Sequence, residues 1–213
     1  MISTGEIDRL VAGQHHDPHS ILGAHSDGDK VIIRTLRPLA DAVEVVLPDG
    51  SIHPMEHRHQ GVFEVTLKDQ ESVVKDYRLR VRYGELVRTV DDPYRHLPTL
   101  GEFDLHLIGE GRHEELWRVL GAHARPGGTA FSVWAPNARG VRLVGSFNYW
   151  DGVAYPMRSL GGAGVWELFV PDVGDGAAYK FSICGPDGIW RDHADPMACY
   201  AEQAPNTDRK SVV

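Results

Sequence analysis

Two tryptophans and a lysine in the C-terminal half of the chain are residue types that bind sugars. Trp150 and Trp190 lie in turn-rich segments, and Lys180 lies between them in the sequence. Sugar rings present patches of C–H groups that lie flat on an aromatic face, and their hydroxyls need hydrogen-bonding groups at its edge. These residues therefore predict polysaccharide binding if the fold brings both turns to one side. The spacing alone leaves packing in a core equally open for both rings.

An internal repeat supplies the elements that must position these residues. Residues 21–94 and 119–197 look like two copies of one unit, because Ile-Leu-Gly-Ala-His at 21–25 returns as Val-Leu-Gly-Ala-His at 119–123. A repeat of this length exceeds the roughly 20–50 residues of a solenoid unit. Each copy is therefore predicted to be a domain. The first copy keeps a cation, Arg78, but has no counterpart of the two tryptophans.

Within each copy, short runs alternate apolar and polar residues, as strands with one buried face do. In residues 77–83, four apolar or aromatic side chains alternate with three arginines. Many short strands separated by turn residues predict an all-β fold, with two tandem immunoglobulin-like β-sandwiches. The apolar spacing over residues 112–120 predicts a short helix in the linker between them.

These patterns divide the chain into three parts. Residues 1–110 are predicted to form the first β-sandwich with a short leading helix, residues 111–128 a helical linker, and residues 129–213 the second β-sandwich. Trp166 alternates with apolar residues and is interpreted as core. Trp134 closes a strand and is also predicted to be packed rather than exposed.

Composition narrows the classes of function. The chain has 213 residues, 42% of them hydrophobic and 24% charged, which is typical of globular domains. A net charge of −8 argues against binding to nucleic acid or to an anionic membrane, since both need a basic surface. The sequence contains no apolar run long enough to span a bilayer and no signal-peptide pattern. With two cysteines, a disulfide scaffold is not expected, and we predict a cytoplasmic protein.

Twelve histidines raise the alternative of a metal-dependent enzyme, because His15, His16 and His19 cluster around an aspartate. Imidazole and carboxylate are good metal ligands. Pro18 and the tight spacing suit a rigid turn better than a site. We predict no metal site and no cofactor.

Several motifs resemble known families. Four runs are similar to a family 48 carbohydrate-binding module, a module of the alpha-amylase clan (glycoside hydrolase family 13): Phe-Ser-Val-Trp-Ala-Pro-Asn-Ala at 131–138, Gly-Ser-Phe-Asn-Tyr-Trp at 145–150, Gly-Val-Trp-Glu-Leu-Phe at 164–169 and Tyr-Lys-Phe at 179–181. Upstream, residues 15–25 and 97–107 resemble the start of bacterial 1,4-alpha-glucan (glycogen) branching enzymes.

The resemblance implies an α-1,4-glucan ligand such as glycogen, starch or maltooligosaccharides, bound by Trp150, Lys180, Trp190 and Asn206. It also implies a catalytic (β/α)₈ barrel as a partner. Such a barrel typically needs about 250 residues, more than this chain contains, so we predict no catalytic residue here and no activity by the chain alone. The alternative is a structural docking region that stabilises the catalytic domain and binds little sugar. An exposed apolar patch around Leu116 and Trp117 would favour docking.

Overall fold

The computed structural model describes residues 2–68, 76–201 and 211–212. The chain forms two compact units, one from Met1–Val11 with Pro18–His96, and the other from Ala12–Asp17 with Leu97–Val213. The division between the units thus falls after His96, earlier in the sequence than the predicted end of the first domain at residue 110. The short segment before Pro18 belongs to the second unit.

Helices are short and few in the part of the chain that the structure describes. The α-helices are α1 (Thr4–Val11) and α2 (Glu102–Gly109). Single turns of 3₁₀ helix occur at Pro18–Ser20, Pro93–Arg95, Leu116–Arg118, Ser146–Asn148 and Gly161–Ala163. None of the helices among the described residues is long and apolar enough to cross a membrane.

Short strands make up most of the regular structure. In the first unit they are β1 (Gly23–Asp27), β2 (Lys30–Leu36), β3 (Ala42–Val46), β4 (Ile52–Pro54), β5 (Glu56–His59), β6 (Val62–Leu67), β7 (Arg78–Tyr83) and β8 (Leu86–Val90). In the second unit they are β9 (Gly121–Arg125), β10 (Gly128–Trp134), β11 (Gly140–Gly145), β12 (Arg158–Ser159), β13 (Val165–Pro171), β14 (Ala178–Cys184), β15 (Trp190–His193), β16 (Tyr200–Ala201) and β17 (Ser211–Val212).

Both units are immunoglobulin-like sandwiches of two antiparallel sheets, as the sequence predicts. The first unit has strand orders β1-β2-β6-β5 and β4-β3-β7-β8. The second has β12-β13-β10-β9 and β11-β14-β17-β16, and β15 also pairs with β14. The alternation in β7 is confirmed, because Leu79 and Val81 are fully buried while Arg78 and Arg82 are exposed. Burial of these apolar faces supplies the main stabilisation of each unit.

The alternation of side chains along a strand also determines whether Trp166 and Trp134 in the second unit are buried or exposed. Trp166 lies in its core and its Nε1–H donates to the carbonyl oxygen of Ala135, as the sequence interpretation requires. Trp134, however, is 56% exposed. The prediction that it packs inside was wrong, because Phe131 and Val133 face the core and the next residue along a strand must face the other way.

The predicted linker helix over residues 112–120 was also wrong. The structure has one turn of 3₁₀ helix at Leu116–Arg118, and the α-helix lies earlier, at α2. Gly111 adopts a positive φ of 67° and ends α2, and Gly121 already starts β9. Between these glycines, one 3₁₀ turn is enough to bring Leu116 and Leu120 against Ile108 and Val165, so their packing needs no α-helix.

Residues 97–120 instead cover the outer face of a sheet. Ile108, Leu120 and Val165 form a buried cluster there, with Leu116 packed against it. Thr99 donates from both its backbone N–H and its hydroxyl to Oε1 of the buried Glu167, each at 2.7 Å. This segment is therefore an added layer of the second unit.

The repeated residues make the same local hydrogen bonds in the two units. In each, a positive-φ glycine is followed two residues later by a histidine whose Nε2 lies 3.0 Å from a carbonyl oxygen three residues back. In each, a buried tyrosine hydroxyl donates to a buried aspartate: Tyr77 to Asp92, and Tyr179 to Asp195. The residues that repeat in the sequence thus form the same local structure in both units.

Candidate functional site

Arg142, Lys180 and Trp190 share the outer face of the β11-β14-β15 sheet. The antiparallel register places Arg142 opposite Ser182, and Trp190 opposite Cys184. Lys180, Ser182 and Cys184 alternate along β14 with the residues that face the core. The structure therefore brings two of the predicted residues, Lys180 and Trp190, to one face. It adds Arg142, which the sequence analysis did not single out.

The ring of Trp190 is half-buried and packed on two sides. The guanidinium carbon of Arg142 lies over it, 4.3 Å from the ring centroid. The backbone of Gly13 adjoins its far edge, because a Cβ added there would come within 2.9 Å of the indole. The hairpin that presents Trp190 is braced by Asp187, which accepts from Arg191 at 2.8 Å. That hydrogen bond, helped by one from a backbone N–H, lowers the pKa of Asp187.

Trp150 lies on a tight turn at the end of β11. Tyr149 and Trp150 have φ of 55° and 62°, a left-handed conformation that bulky residues seldom adopt. Such a conformation costs about 1–2 kcal/mol per residue, and strained residues of this kind cluster at functional sites. Trp150 is 37% exposed and Tyr149 is more so. The turn thus presents two neighbouring aromatic side chains to solvent.

Buried contacts hold this strained turn in place. The side chain of Asn148 is buried, and its Oδ1 accepts from the N–H of Gly145 at 2.8 Å while its Nδ2 donates to the carbonyl oxygen of Leu143 at 2.9 Å. Phe147 packs toward the core, with its ring centroid 5.8 Å from that of Phe131. These contacts fix the backbone of the turn and so hold Tyr149 and Trp150 in their strained conformation.

After Trp150, the chain packs directly against Arg142. A Cβ added at Gly152 would lie 2.9 Å from Cβ of Arg142 and from Cγ1 of Val144, so only glycine fits. Pro156 then forms an isolated bridge with Arg142. The segment that carries Trp150 and the strand that carries Arg142 are therefore packed together as one surface.

The remaining two predicted residues have different outcomes. Lys180 is only 7% exposed, so little of its side chain reaches solvent. Asn206 lies outside the described residues. Tyr149 and Arg142 were missed by the sequence analysis. Arg142 could have been identified from the sequence, because the alternation of residues along β11 predicts that its side chain faces outward.

A second surface feature lies on the other sheet of the same unit. Trp134 forms one wall of an apolar cavity of about 250 Å³, which Ile108, Leu116 and Met197 also line. The Nε1–H of Trp134 donates to the carbonyl oxygen of Ala163 at 3.0 Å, which fixes the orientation of the ring. Trp117, next to Leu116 in the chain, is 57% exposed.

The histidine cluster is used for packing and turns. Nδ1 of His15 accepts from the N–H of Asp17, and the ring of His16 stacks on Trp166 with centroids 5.7 Å apart. Among the described residues, no group of three or more His, Cys, Asp or Glu is placed to hold a metal ion. In the same part of the chain, Cys184 and Cys199 are both free thiols.

Comparison with known families matches both units. Residues 3–94 match the model described as "alpha-1,4-glucan branching enzyme GlgB, N-terminal domain". Residues 119–198 match "Carbohydrate-binding module 48 (Isoamylase N-terminal domain)".

Individual relatives agree with these matches. The chain is 60% identical over 209 residues to 1,4-alpha-glucan branching enzyme GlgB of Thermobifida fusca, covering 94% of this chain and 28% of the relative. It is 54% identical over 214 residues to that of Frankia casuarinae, covering 95% and 26%. The chain thus spans about a quarter of the length of these relatives. A solved pullulanase from Anoxybacillus sp. LM18-11 is 18% identical with a TM-score of 0.38, covering 90% of this chain and 27% of that chain, too low to transfer any side-chain position.

Proposed function

We propose that this chain, which belongs to the 1,4-alpha-glucan branching enzyme family as its N-terminal region, binds α-1,4-glucan on the outer face of the β11-β14-β15 sheet. The observation that carries the proposal is the exposed ring of Trp150, held in a strained left-handed turn by buried contacts. Trp190, on the same face, belongs to the proposed site, whereas Lys180 is 7% exposed and is a candidate from the family resemblance alone. Asn206 remains a candidate from the family resemblance.

The chemistry of this face suits a polyol with apolar ring faces. Trp150 and Tyr149 offer flat aromatic surfaces to solvent, and Arg142 lies close by on the same surface. An aromatic contact contributes about 0.5–1.5 kcal/mol beyond the area that it buries. A few such contacts give a dissociation constant on the order of millimolar, because about 4 kcal/mol of binding free energy corresponds to that value.

The proposed role is positioning rather than catalysis. Weak contacts on this face would hold a glycogen chain near the catalytic barrel of the same enzyme, which carries out the α-1,6 branching reaction. Weak affinity suits such a role, because a chain that is held for long cannot be passed on for reaction.

Affinity electrophoresis in gels containing glycogen tests the proposal. We expect the wild-type chain to be retarded by glycogen and Trp150→Ala to migrate as it does without glycogen. Trp117→Ala is the matched control, because it removes an indole that is also exposed but lies elsewhere in the unit, and it should be retarded like the wild type. Equal retardation of wild type and Trp150→Ala would reject this face as the glucan site.

The cavity beside Trp134 supports a second candidate function, docking onto the catalytic barrel. Its lining is strongly apolar, and Trp117 adds an exposed ring next to Leu116. Exposed apolar patches of this kind mark interaction sites more often than chance surface. A sugar would leave its hydroxyls without partners against such a lining. We therefore assign this surface to a protein partner.

Binding in trans tests the docking role. The catalytic part of the Thermobifida fusca relative is titrated with this chain by isothermal calorimetry. We expect Trp134→Ser and Trp117→Glu to weaken association, and Trp150→Ala, on the opposite sheet, to leave it unchanged. Association that is insensitive to both substitutions would contradict docking through this surface.

A further inference from the structure

We infer that Arg142, rather than Lys180, is the cation that contacts the glucan, and that Trp190 acts by holding the Arg142 guanidinium in place. This inference rests on the proposed function, since it concerns the same face. It assigns a role to a residue that neither the family resemblance nor the sequence pattern singled out.

Burial separates the two cations. Lys180 is 7% exposed, and a ligand lying on the sheet has little of it to touch. Arg142 is half-buried: its Nε is enclosed beside the backbone of Gly13, and its guanidinium carbon lies over the ring of Trp190 on the outer face. A residue that provides hydrogen bonds to a surface ligand must reach the surface. Arg142 exposes a larger fraction of its surface than Lys180 does, so it is the better candidate for this contact.

The stacking on Trp190 gives the guanidinium a defined position. Its carbon lies 4.3 Å from the ring centroid, within the range of about 6 Å for a cation–π contact. A guanidinium carries five N–H donors in a rigid planar fork, a shape that matches a pair of neighbouring sugar hydroxyls. Because the side chain is already ordered by the stack, binding costs less rotamer entropy than ordering a free arginine would.

The backbone places Arg142 beside the exposed aromatic turn. Its Cβ faces the backbone of Gly152, and Trp150 precedes that glycine by two residues. On its other side, Arg142 reaches over β14 to Trp190 on β15. Arg142 thus lies between the segment that carries Trp150 and the strand that carries Trp190, which the sequence separation of these residues does not reveal.

Trp190 is accordingly a positioning residue. The guanidinium covers its ring and Gly13 adjoins its edge. Removing the indole is expected to weaken binding by releasing Arg142. Loss of Trp190 and loss of Arg142 should therefore not add, since both remove the same contact.

NMR titration of the full chain with maltoheptaose measures the dissociation constants. Arg142→Ala should weaken binding about tenfold, the size expected for losing hydrogen bonds to a charged group. Arg142→Lys keeps the charge but loses the planar fork and should also weaken binding several-fold. Lys180→Gln should bind as the wild type does, and thermal unfolding checks that each variant is folded.

A double-mutant cycle tests the positioning role. Trp190→Ala should weaken binding about as much as Arg142→Ala, and the double variant should be no weaker than either single one. Trp190→Phe keeps an aromatic face for the stack and should recover most of the affinity, an effect that a merely structural role would not give.

The outcomes separate the inference from the proposed function. If Trp150→Ala binds maltoheptaose as the wild type does, the glucan site itself is wrong and the inference falls with it. If Trp150→Ala weakens binding but both Arg142 variants bind normally, only the inference is overturned. Weakened binding by Lys180→Gln alone would return the cation role to Lys180.

Discussion

The amide of Asn148 is expected to control both the stability of the second unit and the position of Trp150. Its side chain is buried and spans the N–H of Gly145 and the carbonyl oxygen of Leu143. Asn148→Ala leaves both backbone groups without these partners, at about 1–3 kcal/mol for each unsatisfied buried group. We expect the free energy of unfolding of the second unit to fall by about 2–6 kcal/mol.

The same substitution should weaken glucan binding even where the chain stays folded. Tyr149 and Trp150 pay about 1–2 kcal/mol each for their left-handed backbone, and Asn148 contributes the contacts that offset this cost. Without it, the turn is expected to relax and the ring of Trp150 to leave its position. Glycogen retardation in affinity electrophoresis should then decrease.

Tryptophan fluorescence in a urea titration measures the loss, because all five tryptophans of the chain belong to the second unit. Asn137→Ala is the matched control, since it removes an exposed asparagine of the same unit, and it should change the free energy of unfolding by less than about 0.5 kcal/mol. If Asn148→Ala unfolds like this control and keeps full glycogen retardation, the assignment of the turn is refuted.

Three further substitutions test buried charges. Glu167→Gln removes the carboxylate that faces Arg158 at 3.3 Å inside the second unit, and the free energy of unfolding in urea should fall by about 3–5 kcal/mol; an unchanged midpoint would contradict this. In the first unit, burial alone raises the pKa of Glu64, but hydrogen bonds from two arginines lower it below its usual value. The stability advantage of wild type over Glu64→Gln should thus be present above the unfolded pKa and disappear as pH falls through the lowered one. Burial raises the pKa of Asp195, so wild type should instead lose stability relative to Asp195→Asn as pH rises through the raised pKa. Calorimetry across the acid range checks both slopes, and slopes of the same sign would show that one assignment is wrong.

The sequence predicts the fold well because strand alternation and the internal repeat both report burial. The period of two identifies the buried face of β7 and places Trp166 in the core. The same alternation places Trp134 on the outside, because the preceding Val133 faces the core, so the prediction that the end of this strand is packed fails. The error over residues 112–120 has a similar origin, since apolar spacing there reports burial of Leu116 and Leu120 without requiring a helix.

The candidate site is less predictable because it depends on register across strands that are distant in sequence. Stacking of Arg142 on Trp190 requires β15 to pair with β14 at Cys184 and β11 to pair with β14 at Ser182. No local pattern specifies that pairing. The burial of Lys180 likewise depends on packing that the sequence does not specify. The positive φ of Trp150 depends on contacts of Asn148 that sequence spacing does not reveal.

Fluorine NMR of the chain labelled with 5-fluorotryptophan tests the glucan site most directly, because each of the five tryptophans gives its own resonance. Single Trp→Phe variants assign the signals, and maltoheptaose is then titrated in. We predict that Trp150 shifts most and saturates, that Trp190 follows it, and that Trp117 and Trp134 remain unchanged. A titration in which Trp134 or Trp117 shifts while Trp150 stays constant would contradict binding at the β11-β14-β15 face.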